Sequence, residues 1–557
     1  MMRHTLTGAT LSVLLALSAP DASAFCGFYV GGAGAKMFNN ATQVVLLREG
    51  TTTVLSMQNN YQGPTEDFAM VVPVPVVLEE DHVNVLKDEA FTKIDKLGAP
   101  RLVEYFEDDP CNTIPYYGLG AVGSGRGGAG RIGKFGAMAP KELVKVEAEF
   151  DVGEYNVVIL SAKESNALES WLVSNEYNIP EGAAGVLKGY IEAGQYFFVA
   201  KVDVEKVAFT DGKATLSPLR FHYDSKDFSL PVRLGLLNAD GAQDLIVNIL
   251  ASNQRYEVAN LKNVTIPTNL FVDKSVKKSF AQFYVTLFDH VTEDHPGSVV
   301  TEYAWQATKC DPCPDGSFGT GVGLTGALTE RDLEAFGGDV LGPKKPAMST
   351  WVLTRLHARY TADQLKEDLV FKEASPIVGG RGTPSGFPAK MEQDGAKEAS
   401  FNNFQGRYIV LHPWEKDMTC KDPQRGRWGE PPPGVESKTG SAQDTASAKR
   451  GGVVLANVVL PASHALANIT GADATETNPA VKPKDGDEVA QDEAEGTQKK
   501  DARTSTPKEA TKENGALDKK SQCTHASAGG SEVPSGLFVV AFGVLVGVRV
   551  RMRTCSA

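Results

Sequence analysis

Apolar residues recur at every second position through much of the first 430 residues, and in places the spacing lengthens to the period of a helix face. "TQVVLLREGTTTVLSMQNNY" (42–61) is two β-rich runs around Glu49-Gly50 and predicts a hairpin. "VEAEFDVGEYNVVILSA" (146–162) predicts another, turning at Val152 to Glu154. "DFAMVVPVPVV" is extended as well, but Pro73 and Pro75 lack the N–H that a ladder needs, which confines it to an edge or an irregular strand. Further strands are expected at "QYFFVAKVDVE", "SVVTEYAW", "TWVLTRLHARY" and "GRYIVLHPW".

Helices are expected at "NALESWLVSN", capped by Ser165, at "AAGVLKGYIEAG", and at "SVKKSFAQFYVTLFDHV", where Phe280, Phe283, Leu287 and Val291 share one face. Strands come in runs, with helices inserted between them and not alternating with them. That order predicts a strand-dominated α+β fold, built of antiparallel sheets or sandwich-like layers, over a doubly wound sheet.

The pattern stops near Pro431. From about Gly471 to Glu532 there is no aromatic residue and almost no branched aliphatic one, too little apolar surface to offset the entropy of ordering. Residues 430–534 therefore read as a disordered, low-complexity stalk. The apolar island "GVVLANVVLPASHALANI" (452–469) within it is expected to dock back on the globular part.

Sorting signals flank this arrangement. Arg3 and His4 precede an apolar run, and Ala22-Ser23-Ala24 offers small residues for a signal peptidase, so 1–24 reads as a leader cleaved after Ala24. At the other end "SGLFVVAFGVLVGV" (535–548) is followed by Arg549, Arg551 and Arg553, a hydrophobic stop with a basic cytoplasmic end, 549–557. At about 1.5 Å per residue this helix is roughly 21 Å long, short of a hydrocarbon core near 30 Å, which suits a transient span. The exported body is then 25–429, with a Gly-rich loop at 118–136 and room for two subdomains.

Charge narrows the partners. A net charge of -13 argues against nucleic acid, which needs a basic surface to displace counterions.

The candidate chemistry centres on "ATKCDPCPDG" (307–316). Cys310 and Cys313 have the C-x-x-C spacing of a redox couple, of half a metal site, or of a local disulfide. Pro314-Asp315-Gly316 favours a loop over the helix N-terminus that stabilises a redox thiolate, and an oxidising compartment favours bridges. The expected disulfides are Cys310–Cys313 and Cys26–Cys111, with Cys420 unassigned. His290 and His295 are the weaker candidates to complete a metal site with the two cysteines. "FEDDPC" clusters Glu107, Asp108 and Asp109, which a solvated acidic turn explains as well as paired catalytic carboxylates do.

Two G-x-G-x-x-G matches in 118–128 arise from Gly density, and no G-x-S-x-G nucleophile elbow occurs. No cofactor is implied.

Several blocks in one order, among them "CGFYVGGAGAKMFNN", "EYNVVILSAKESNALESWL", "YFFVAKVD", "WQATKCDPC" and "WVLTRLHARY", resemble the bacterial proteins grouped as domain of unknown function 2330. The resemblance covers most of Phe25 to Gly380 and implies an exported, cysteine-containing protein, with no catalytic residue defined. The tail, with Cys523, a small-residue spacer, an apolar helix and an Arg cluster, resembles myxobacterial-type sorting signals. That resemblance implies cleavage near Cys523 and lipid attachment to it; a single-pass tail anchor is the alternative.

The expected function is a surface-anchored, non-enzymatic β-rich module for binding or envelope structure, held at the membrane, with an unknown protein or envelope partner. An exported thiol-disulfide oxidoreductase using Cys310 and Cys313, and an exported hydrolase, are the alternatives.

Overall fold

Alternation along the first hairpin decides how the sheets stack. A computed structural model describes residues 28–461 apart from 32–37, 63–67, 113–143, 314–325, 433–439, 442–449 and a few shorter stretches. Strands β1 (Thr42–Glu49) and β2 (Thr52–Gln58) form the hairpin about Gly50, whose φ of 58° favours glycine. Along β1, Val44 and Leu46 enter one core while Val45 and Leu47 enter another, so this sheet is buried on both faces.

The elements that follow are β3 (Phe68–Val74), β4 (Val83–Val85), α1 (Asp88–Gly98), β5 (Arg101–Glu107), β6 (Val144–Val152) and β7 (Tyr155–Ala162). Next come α2 (Ser165–Ser174), α3 (Ala183–Glu192), β8 (Tyr196–Val202), β9 (Leu219–Asp224), β10 (Gln243–Ser252) and β11 (Leu270–Phe271). The last are α4 (Phe280–Asp294), β12 (Val299–Gln306), β13 (Trp351–Tyr360), β14 (Asn403–Gln405) and β15 (Arg407–His412).

The large sheet includes the order β14-β12-β13-β10-β1-β2-β9-β4, antiparallel along this run except where β10 meets β1; Ile377–Gly379 adds parallel to β14 and Asn263–Thr265 parallel to β12. A second, fully antiparallel sheet runs Phe28–Gly31, β3, β8, β7, β6. These two sheets pack face to face: Leu46, Leu55, Phe221 and Ile249 of the first meet Met70, Val72, Ile159 and Phe198 of the second. Helices α2 and α3 cover the outer face of the second sheet through Leu168, Leu172 and Leu187. Helix α1 covers the outer face of the first through Phe91, Ile94 and Leu97. A smaller sheet, which packs under α4, has β11-β15-β5 parallel, with Trp428–Gly429 and Gly440–Ser441 antiparallel on β5. The fold is thus strand-dominated α+β with sandwiched layers and inserted helices.

Three expectations change. Strand β3 lies inside its sheet, not at an edge, paired with Phe28–Gly31 on one side and with β8, through Pro73 itself, on the other. Helix α1 was not foreseen, since Phe91, Ile94 and Leu97 are its only large apolar residues. Ser165 is the first residue of α2, and Glu164 holds the cap position without a side-chain cap bond.

The body also extends past 429, since Arg450 to Leu460 pack against α4 and β11. The leader, Cys26, the loop at 118–136, and the stalk and apolar tail beyond 461 lie outside the described residues. Among the described residues no helix is long and apolar enough to cross a membrane.

Leu46 is fully buried between the two sheets. Leu46→Ala should lower unfolding free energy by about 2–5 kcal/mol, read from the midpoint of urea denaturation.

Candidate functional site

The sequence candidates separate in space. Cys310 and Cys313 are joined as a disulfide at the end of β12, 3% and 0% exposed, in the core that also holds Trp351 and Phe336. The intervening Asp311 is clamped: Arg381 donates to its main-chain oxygen and, at 2.6 Å, to its carboxylate Oδ2. The Arg381 guanidinium lies 4.2 Å from the Trp305 ring centroid and also donates to Gln405. Exchange needs an attacking thiolate to reach a sulfur, and this burial denies access.

The second bridge joins Cys111 to Cys420, not to Cys26, and pins the loop after β15 to the end of β5. His290 and His295 close helix α4, beside Asp294 at 3.8 Å and Lys262 at 3.1 Å respectively. Both lie before β12, whereas the cysteines follow it, a strand of roughly 3.3 Å per residue away. With both sulfurs in a bridge, no thiolate remains to join them at a metal. No group of three metal-ligating side chains occurs among the described residues.

Glu107 is no solvated acid. It accepts both guanidinium bonds of Arg425 at 2.7 Å and the N–H groups of Trp414 and Gly426. Burial opposes its ionisation, but Arg425 and these amides outweigh it and hold the carboxyl below the usual range. Its work is to shape the 413–428 loop.

The densest chemistry lies elsewhere, where β10, β12 and β13 turn one face toward α1 and α4. Period two along β13 puts Arg355, His357 and Arg359 on one face, opposite Leu356 and Ala358 of the inter-sheet core. A bulge in β12 leaves Glu302 without a register partner between Thr301 and Tyr303, and aims it into this layer.

The groups then alternate in sign along one chain. Asp95 accepts from Arg355 Nη1 at 2.5 Å, Arg355 Nε donates to Glu302 at 2.7 Å, and Glu302 meets His357 Nδ1 at 2.7 Å. His357 Nε2 lies 3.0 Å from Asp244, which also takes Arg359 and Arg450. Tyr284 adds its hydroxyl to Glu302, and the Phe288 ring stacks on His357 at 3.9 Å. Glu302, Arg355, His357 and Asp244 are all fully buried or within 1% of it.

Geometry favours the charged ring. Each ring nitrogen of His357 faces a carboxylate oxygen, an arrangement in which an imidazolium donates at both. Burial works against this charge, yet Glu302 and Asp244 outweigh it and raise the imidazole pKa. Burial likewise opposes ionisation of Glu302, but His357 and Arg355 overcome it and bring its carboxyl down to about 2. A catalytic imidazole keeps one nitrogen for its substrate. His357 has committed both, and the array ties β10, β12 and β13 to α1 and α4.

A second histidine sits nearer the surface. Glu104 Oε2 accepts from Lys277 and lies 2.7 Å from His412 Nε2, whose ring stacks on Phe106 at 4.2 Å. Neither cluster was foreseen. The R-x-H-x-R alternation on one face of "TWVLTRLHARY" was the available signal for the first.

A model of a family described as "Uncharacterized protein conserved in bacteria (DUF2330)" matches residues 20–372. No curated protein and no solved structure matches the chain.

Since the pKa of His357 is raised in the folded state, its contribution is complete below about pH 6.5 and is lost as pH climbs through the folded value. His357→Gln should cost about 3–5 kcal/mol at neutral pH. The gap from the native protein should narrow at alkaline pH, checked by denaturation at several pH values; a constant gap would mean a neutral ring.

Proposed function

The chain belongs to this uncharacterised bacterial family, and we propose that it is an exported, envelope-anchored β-rich module whose role is binding or structural and not catalytic. One observation carries the reading: the groups that sequence or burial would nominate for chemistry are already bonded to one another. The C-x-x-C sulfurs form a buried disulfide, both nitrogens of His357 face carboxylates, and Glu107 is saturated by Arg425 and two amides. Two disulfides in a single body favour an oxidising compartment, in keeping with a leader cleaved after Ala24. The body would be displayed on the 430–534 stalk and held at the membrane by the 535–548 segment or by lipid on Cys523.

Mass spectrometry of the protein recovered from envelope fractions should find Phe25 at the N-terminus and a lipid or an intact apolar tail at the C-terminus. Alkylation under native conditions should leave Cys310 and Cys313 unlabelled, even with a mild dithiol reductant, and label them once denaturant is added. Rapid native labelling of either would replace this reading with thiol-disulfide exchange.

A further inference from the structure

Residues 450–460, at the C-terminal end of the described residues, hold to the body by a small, self-contained set of contacts. Val459 makes an antiparallel bridge with Val272. Flanking it, the Asp273 N–H donates to Val458 and the Leu460 N–H to Phe271, each at 2.8 Å. This segment therefore lies along the edge of β11 that β15 leaves unpaired.

Val459 enters the core under α4 with Val272, Val276 and Phe280, while Val453, Leu455 and Val458 pack against it half-buried. Val454 faces solvent, 60% exposed. One side chain reaches deeper. Arg450 donates from Nε to Asp289 of α4 and from Nη2 to the buried Asp244, both at 3.0 Å.

We propose that residues 450–460 form a latch that opens as a unit, ahead of the rest of the body, and uncovers the β11 edge. Two features favour separate opening. Among the described residues the segment has two main-chain bonds to the body, where a strand inside the large sheet has ladders on both sides. Asp244 keeps His357 and Arg359 when Arg450 leaves, so opening does not strand a buried carboxylate. Closed, the latch occupies the main-chain groups of Phe271 and Asp273 that an extended peptide would otherwise use.

The proposal is independent of how the tail is anchored. Hydrogen exchange of the full-length protein tests it. The amides of Asp273 and Leu460 should exchange together and faster than those of Ile246 to Leu250 in β10. Arg450→Ala should speed the first pair about tenfold and leave β10 unchanged. Val459→Ser should do the same by a different contact. If the latch amides match β10 in the native protein, and both variants speed all of them equally, the segment belongs to the cooperative body and the proposal fails.

Discussion

An imidazolium held between two carboxylates inside the protein is the constraint on which the other layers depend. A neutral His357 would turn a lone pair toward Glu302 or Asp244, and removing either acid takes away one of the two carboxylates that face its ring. The same two acids fix Arg355 and Arg359, and through Arg355 the end of helix α1. Burial favours the array only as a complete set. Its members come from α1, β10, β12 and β13, which are distant in sequence, so forming it requires that the sheet and its covering helices be assembled together.

The array also explains the division of labour between the two faces of the large sheet. Toward the second sheet the contacts are apolar and tolerant of sliding, with Leu46, Met57 and Phe198 among them. Toward α1 and α4 the contacts are directional, and each donor accepts only one angular arrangement. Apolar packing supplies most of the burial free energy, while the charged layer selects one register for the helices. The Arg381 clamp on Asp311 has the same character at the mouth of β12.

Local periodicity made much of the architecture legible. Both long hairpins, the strands carrying Tyr303, His357 and Tyr408, and the three longest-patterned helices follow from spacing that neighbouring residues enforce. What was hidden depends on distance along the chain. Cys420 gave no hint of Cys111, 309 residues away. Glu302 sits at a bulge, and a bulge is a property of two paired strands, so one strand's pattern could not show where the side chain would point. Arg450 stands next to a stretch whose composition reads as stalk, and its value comes from the acids it meets. The half-charged helix α1 owes its existence to the sheet it covers, a tertiary effect that overrides weak local preference.

The Cys111–Cys420 bridge turns most of the body into a covalent ring. The Gly-rich, basic stretch at 118–136 falls inside that ring. A protease that cuts there converts one chain into two without parting them, and the fragment bearing the leader-proximal strands stays attached to the one bearing the stalk. Processing within that stretch would change the number of chain ends the body presents while leaving it tethered.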